Sequence, residues 1–308
     1  MAVGKKVTNL SKGIADVNVL NHDNGEYEVV VCFSPDPEII VGEGNSKALI
    51  ALDGSRSMRK VYGGAAGPFG GSEPNYVEPM GRGIAKLLCE VTKSGKVDSI
   101  YWAVGQEGNQ IEIIGAHNEE EWEDVSLNGP KSKMGTGTYI LPVIQYIVET
   151  VAKDSDWTMG VIITDGIIDD EEASIQYCFE LGKKMAEGNI KPIKLVLIGI
   201  GESVNEAQLQ RFDDMFEESD IDYDLWSHGV TSSFRNIEDV KNVLYGELIS
   251  EDTFVADSAV LKDDKGNVIK SFSDGLPGKF RFNISGNVNG FVIEANGISI
   301  SQDISEAL

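Results

Sequence analysis

The chain has 308 residues, 41% of them hydrophobic and 25% charged, which describes a folded globular protein and excludes a disordered one. Fifty acidic against 26 basic side chains leave a formal charge of −24, which repels nucleic acid and anionic membrane and gathers cations around the molecule. No apolar stretch approaches the roughly 20 residues that a membrane helix requires, and residues 1–9 have no apolar core behind them, which argues against a secretory signal.

In chain order, residues 26–33 (EYEVVVCF) predict a strand, followed by Pro35-Asp36-Pro37. Residues 48–52 (ALIAL) predict a buried strand that ends at Asp53. A glycine-rich loop follows from Gly63 to Gly71, closed by Pro79, and then a helix with Ile84, Leu87, Leu88 and Val91 at helical spacing. Residues 99–104 and 111–114 predict a strand and a short edge strand, and Ile144, Ile147, Val148 and Val151 mark a helix face. A strand over 159–164 is followed by a helix face of Ile175, Cys178, Phe179 and Met185. Residues 191–200 (KPIKLVLIGI) contain the most hydrophobic strand, and a continuous apolar run without alternation indicates burial on both faces, as in a parallel sheet. Leu209, Phe212 and Phe216 predict another helix, residues 223–226 a last strand, and Ile237, Val240, Val243 and Leu244 a last helix.

This alternation over residues 45–250 implies an α/β domain with a Rossmann-like, mostly parallel sheet flanked by helices. Residues 251–308 instead carry short apolar runs split by turn signals such as Asp263-Asp264-Lys265-Gly266-Asn267, which is all-β patterning. Some 50 residues make a marginal domain alone, so residues 1–44 are expected to join them in one β-sandwich beside the α/β domain. Cys32, Cys89 and Cys178 are an odd number, far apart and embedded in apolar segments, and read as buried free thiols of a reducing, cytoplasmic compartment.

Three segments carry chemistry. Asp53-Gly54-Ser55-Arg56-Ser57 places a carboxylate and two alternating hydroxyls at the end of a buried strand, where ligands of parallel sheets bind. Such hard oxygens suit magnesium, which wants near-octahedral oxygen and keeps several waters. Gly135-Thr136-Gly137-Thr138 sets threonines at the start of a helix, and Thr164-Asp165-Gly166 ends a second buried strand on an aspartate. Two carboxylates at one sheet edge repel by about 3 kcal/mol at about 6 Å and an effective dielectric of about 20, and a shared cation reverses that sign. Asp169 and Asp170 predict an N-cap for the helix that follows them. The run Glu119-Glu120-Glu121-Trp122-Glu123-Asp124 reads as a solvated acidic face, and His22 and His117 as turn residues.

The three segments, in this order and context, resemble the von Willebrand factor type A domain with its metal-ion-dependent adhesion site, over about two thirds of the chain. The resemblance implies a metal site of Asp53, Ser55, Ser57, Thr138 and Asp165 holding Mg2+, with Mn2+ or Ca2+ as alternatives. Thr136 competes for the fourth position; Thr138 is preferred because Ile140 and Ile144 follow where the family has apolar helix positions. It further implies direct coordination by Ser55, Ser57 and Thr138, with Asp53 and Asp165 acting through water. The segments TYILPVI and ITDGIIDD are most similar to the copine and bacterial tellurium-resistance branch. Arg56 inside the first motif, the long glycine-rich loop and the β-rich flanks depart from the family pattern.

The implied function is an intracellular binding module rather than an enzyme, in which an acidic side chain of a protein partner completes the cation's shell in assembly or stress response. Two further readings stand beside it. One is a scaffold working through its β-sandwich with incidental metal. The other is a metal-assisted phosphohydrolase using His228, expected just after the last strand, as base.

Overall fold

The computed structural model describes residues 4–21, 26–33, 45–64, 74–201, 203–216, 219–221, 223, 225–231, 240, 244, 254–285 and 287–308. The chain divides into two compact units, Glu43–Lys241 and a discontinuous one of Met1–Gly42 with Asn242–Leu308. The expected boundary near residue 250 and the position of His22 lie outside the described residues.

The chain opens with β1 (Gly4–Lys6), β2 (Ile14–Asn21) and β3 (Glu26–Phe33). The second unit then runs β4 (Ser46–Asp53), helix α1 (Val77–Glu90), β5 (Lys96–Val104), β6 (Gln110–Asn118), α2 (Leu141–Tyr146), β7 (Trp157–Thr164), α3 (Glu171–Ala186), β8 (Ile193–Ile200), α4 (Glu206–Asp213) and β9 (Trp226–Thr231). Its six strands lie in the order β6-β5-β4-β7-β8-β9, all parallel except β6, which runs antiparallel to β5. The continuous apolar runs behave as their composition demands. Residues Ala48–Asp53 and every residue of β8 are buried. Lys194 in β8 is buried too, and its ammonium donates to the Trp226 carbonyl at 3.2 Å.

Because β5 pairs on one side of β4 and β7 on the other, the strand order reverses at β4. The crevice at the carboxyl end of that strand is the place where open α/β sheets bind ligands, and Asp53 stands there. A π-turn over Ile147–Val151 prolongs α2, with Ile144 and Ile147 fully buried against the sheet.

Two expectations shift. The last strand is Trp226–Thr231 rather than residues 223–226, so His228 lies within β9 instead of after it. His117 belongs to β6, its ring edge-on to the buried Trp122, and not to a turn. Of the expected last helix only Val240 and Leu244 are described; both are helical and buried.

The discontinuous unit is the expected β-sandwich of N- and C-terminal segments. Its C-terminal part comprises β10 (Phe254–Ala256), β11 (Ala259–Asp263), β12 (Val268–Phe272), β13 (Leu276–Pro277), β14 (Lys279–Ser285), β15 (Gly290–Ala295) and β16 (Ile298–Asp303). One sheet has the order β1-β2-β3-β14 and the other β12-β11-β15-β16. In the β3–β14 pair, Val31 faces Phe280 and Val29 faces Phe282. Those side chains share a core with Leu261, Phe291 and Ile293 of the second sheet. Gln302 ties the two ends of the chain, accepting from the Ser11 amide at 2.8 Å and donating to the Asn9 carbonyl at 2.9 Å. Cys32, Cys89 and Cys178 are all buried and outside any disulfide.

Candidate metal centre

Three loops meet at the end of β4. The Gly54 amide continues the ladder to the Trp102 carbonyl at 2.7 Å, after which the chain turns outward. The loop before α2 lies across this turn: the Arg56 amide donates to the Gly135 carbonyl at 3.0 Å, and the Gly135 amide to the Ala103 carbonyl at 3.1 Å. A side chain at Gly135 would place its Cβ 2.2 Å from the Ala103 oxygen, so only glycine permits this approach. Ala103 itself has φ 53°, in the left-handed region that a non-glycine residue seldom adopts.

At this junction a hydrogen-bonded chain runs from Asp53 to Asp165. Asp53 Oδ1 accepts from the Ser55 amide at 2.7 Å, and Oδ2 accepts from the Thr164 hydroxyl at 2.7 Å. The Ser55 and Ser57 hydroxyls lie 2.8 Å apart, and the Ser57 hydroxyl donates to Asp165 Oδ1 at 2.7 Å. Asp53 is completely buried. Burial first, and then the charge of Asp165, push its carboxyl up to about 6; burial also raises Asp165. A buried carboxylate near a half-buried one is destabilised in its charged form, and a cation between them offsets that cost.

Thr138 and Thr136 separate cleanly. The Thr136 hydroxyl is exposed and donates to the Gln106 carbonyl at 3.0 Å. Thr138 is buried, its Oγ1 only 3.8 Å from where a Cβ at Gly166 would sit. It therefore stands against the loop of Asp165, while Thr136 does not.

What holds Thr138 there corrects an expectation. Asp169 and Asp170 do not cap α3; Asp170 occupies its N-cap position without a side-chain bond. Instead Asp169 Oδ2 accepts from the Thr138 amide at 2.7 Å, and the Asp169 amide donates to the Thr138 carbonyl at 2.9 Å. Asp170 accepts from the Ile140 and Leu141 amides at 2.8 and 2.9 Å, capping α2 from across the site. Gln208 of α4, which no motif flagged, is buried and grips the same loop. Its Oε1 accepts from the Ile168 amide and its Nε2 donates to the Ile168 carbonyl, both at 2.8 Å. The one available hint was an amide at a position flanked by the apolar Leu209 and Phe212, and such residues usually face solvent.

His228 is level with Leu197, which is level with Ile162, so it lies two residues short of the Thr164 edge and two strands from β4's neighbour on that side. Its Nδ1 is 2.6 Å from Asp213 Oδ2, and that hydrogen bond raises its pKa. It is a structural partner of α4 rather than a neighbour of Asp53. In the acidic run, Glu121 and Glu123 form ion pairs with Lys96 and Lys86.

Among the described residues no three His, Cys, Asp or Glu side chains converge on one point. A cation at this junction would therefore rest on the hydroxyls of Ser55, Ser57 and Thr138, with two carboxylates behind them. That all-oxygen donor set fits a hard cation that keeps part of its water. Both Asp53 oxygens already accept a protein hydrogen bond, which suits a role through water rather than direct contact.

No family model and no curated protein sequence matches the chain. Among solved structures, the pilus adhesin SpaC from Lactobacillus rhamnosus GG is similar at 9% identity and a TM-score of 0.44, over 97% of this chain and 49% of that one. The chain thus spans about half the length of that adhesin. The PilB minor pilin from Streptococcus sanguinis is similar at 12% identity and a TM-score of 0.46, over 80% of this chain and 77% of that one. The VWA domain of SpRpn10 is similar at 14% identity and a TM-score of 0.41, over 63% of this chain and 93% of that one.

Proposed function

We propose that the chain is a protein-binding module whose α/β unit holds a divalent cation, Mg2+ or Mn2+ or Ca2+, at Asp53, Ser55, Ser57, Thr138 and Asp165. An acidic side chain of a partner protein would complete the cation's shell. The observation that carries this reading is the hydrogen-bonded run from the Asp53 carboxylate to the Ser55 amide, and from the Ser55 hydroxyl through Ser57 to Asp165, at the switch point of the sheet. When bound, the ion supplies an electrophilic centre for a carboxylate, since few anionic groups touch it directly. The chain's own residues orient the hydroxyls and exclude water from Asp53. An intracellular setting and kinship with the copine and tellurium-resistance branch belong to the same reading and rest on the sequence segments quoted above.

The test is calorimetric titration of Mg2+ and Mn2+ after exhaustive chelation, on the wild type, Asp53→Asn, Thr138→Val and Thr136→Val. One saturable site, lost in Asp53→Asn, weakened at least about tenfold in Thr138→Val and unchanged in Thr136→Val, is the expected result. A site indifferent to Asp53, or full partner binding in chelator, would sink the proposal and turn attention to the β-sandwich. Asp169→Ala is no neutral control, because Asp169 holds the Thr138 amide.

A further inference from the structure

We infer that Arg56, Arg59, Lys60 and Ile167 form a selective rim around the candidate centre, fitted to a protein segment with several clustered carboxylates and an adjacent apolar side chain. The inference rests on the metal reading above and says which acidic partner the centre would accept.

Residues 56–60 leave the hydrogen-bonded chain as one tight turn of 3-10 helix over Ser57–Arg59, with Arg56 before it and Lys60 after it. Side chains three apart eclipse one another in this helix, so Arg56 and Arg59 share a side while the buried Met58 turns inward. All three basic side chains are exposed. Elsewhere basic residues such as Lys86, Lys96 and Arg211 sit against carboxylates. Among the described residues no carboxylate pairs with Arg56, Arg59 or Lys60, although acidic side chains outnumber basic ones 50 to 26. Three cations in five positions, with no paired carboxylate among the described residues, set a local cluster of positive charge against the negative charge of the whole molecule.

Ile167 belongs to the Asp165 loop, which the Ser57 hydroxyl contacts. The Ser57 hydroxyl touches Asp165, so the residue before Ser57 and the residue two after Asp165 flank one contact. Ile167 is 56% exposed although its loop is pinned on both sides, Gly166 by the Thr164 hydroxyl and Ile168 by Gln208. A pinned loop that holds a large apolar side chain out to water presents a contact at no further ordering cost. Cation, basic arc and apolar post together match an acidic peptide better than a lone carboxylate.

The experiment uses the full chain and two labelled synthetic peptides, Asp-Glu-Leu-Glu and Asp-Ala-Leu-Ala, in Mg2+ and in chelator, at about 0.05 and about 0.5 M salt. The wild type should prefer the multi-acid peptide about tenfold at low salt, and the preference should vanish at high salt. Arg56→Gln/Arg59→Gln/Lys60→Gln should abolish that preference while leaving the single-acid peptide unaffected. Ile167→Ser should weaken both peptides several-fold, but not versions with Ala in place of Leu. Equal binding of the two peptides by the wild type, an unchanged triple variant whose melting matches wild type, or tighter binding to anionic phosphatidylserine vesicles than to the peptide would each overturn the rim. The metal reading fails separately: binding that survives chelation yet still follows the rim variants discards the cation and keeps the rim.

Discussion

Asp53 is the residue on which the electrostatics turn. It is fully buried and its carboxyl is raised from 3.8 to about 6, chiefly by burial and next by Asp165. A raised carboxylate means that the native state binds the proton more tightly than the unfolded chain does. Its contribution therefore favours folding below about pH 4 and is lost as pH rises to about 6, by about 3 kcal/mol in all. Asp53→Asn keeps an acceptor for the Ser55 amide and removes the charge. In chelator at pH 7 the variant should be about 1–3 kcal/mol more stable than wild type by urea denaturation, with the gap closing near pH 4. Magnesium should then stabilise the wild type alone. Identical stability of the two proteins across this range would show that the Asp53 charge is not buried as described.

At the scale of elements, the site is clamped from behind. The loop of Asp165 is bound to the start of α2 through Asp169 and Asp170, and to α4 through Gln208. Gln208→Ala would leave the Ile168 amide and carbonyl without partners in a buried place, at a cost of about 2 kcal/mol. Asp170→Asn should lose a charge-assisted cap worth about 1 kcal/mol. If the clamp positions Asp165 rather than merely stabilising the fold, Gln208→Ala should also weaken Mg2+ binding under conditions where the protein is fully folded, read by calorimetry. An unchanged affinity would make Gln208 a stability residue only.

Across the whole molecule, two cores are built by different rules. The central strands β4, β7 and β8 of the α/β unit are buried by continuous apolar runs, whereas β14 alternates buried Phe280, Phe282 and Ile284 with exposed residues. Phe282 packs edge-on to Phe291 of the opposite sheet, ring centroids 5.3 Å apart. Phe282→Ala should cost about 3–5 kcal/mol in the sandwich, seen as a lowered denaturation midpoint. Magnesium titration of the folded variant should match wild type; a lost site would mean that the two cores depend on each other.

The fold was legible because it is written in periodicity. Runs such as ALIAL and KPIKLVLIGI predict strands buried on both faces, and the short apolar runs split by turn signals over residues 251–308 predict all-β structure, with no knowledge of neighbours. The candidate ligands were legible for a related reason: Asp53 and Asp165 each end such a run, so chain direction alone sends them to one edge. Long-range hydrogen bonding was not legible. The partners of Asp169, Asp170 and Gln208 lie about 30 to 40 positions away, and an aspartate before a helix looks like that helix's own cap until another helix's free amides come within reach. The different surroundings of Thr136 and Thr138 were hidden for the same reason, since the Gln106 carbonyl captures the Thr136 hydroxyl from 30 positions away. Sequence by itself determined which residues must be buried and which edge they share, because burial follows local pattern. Only the tertiary structure decided which polar groups satisfy one another, because that depends on distances between segments that no local pattern encodes.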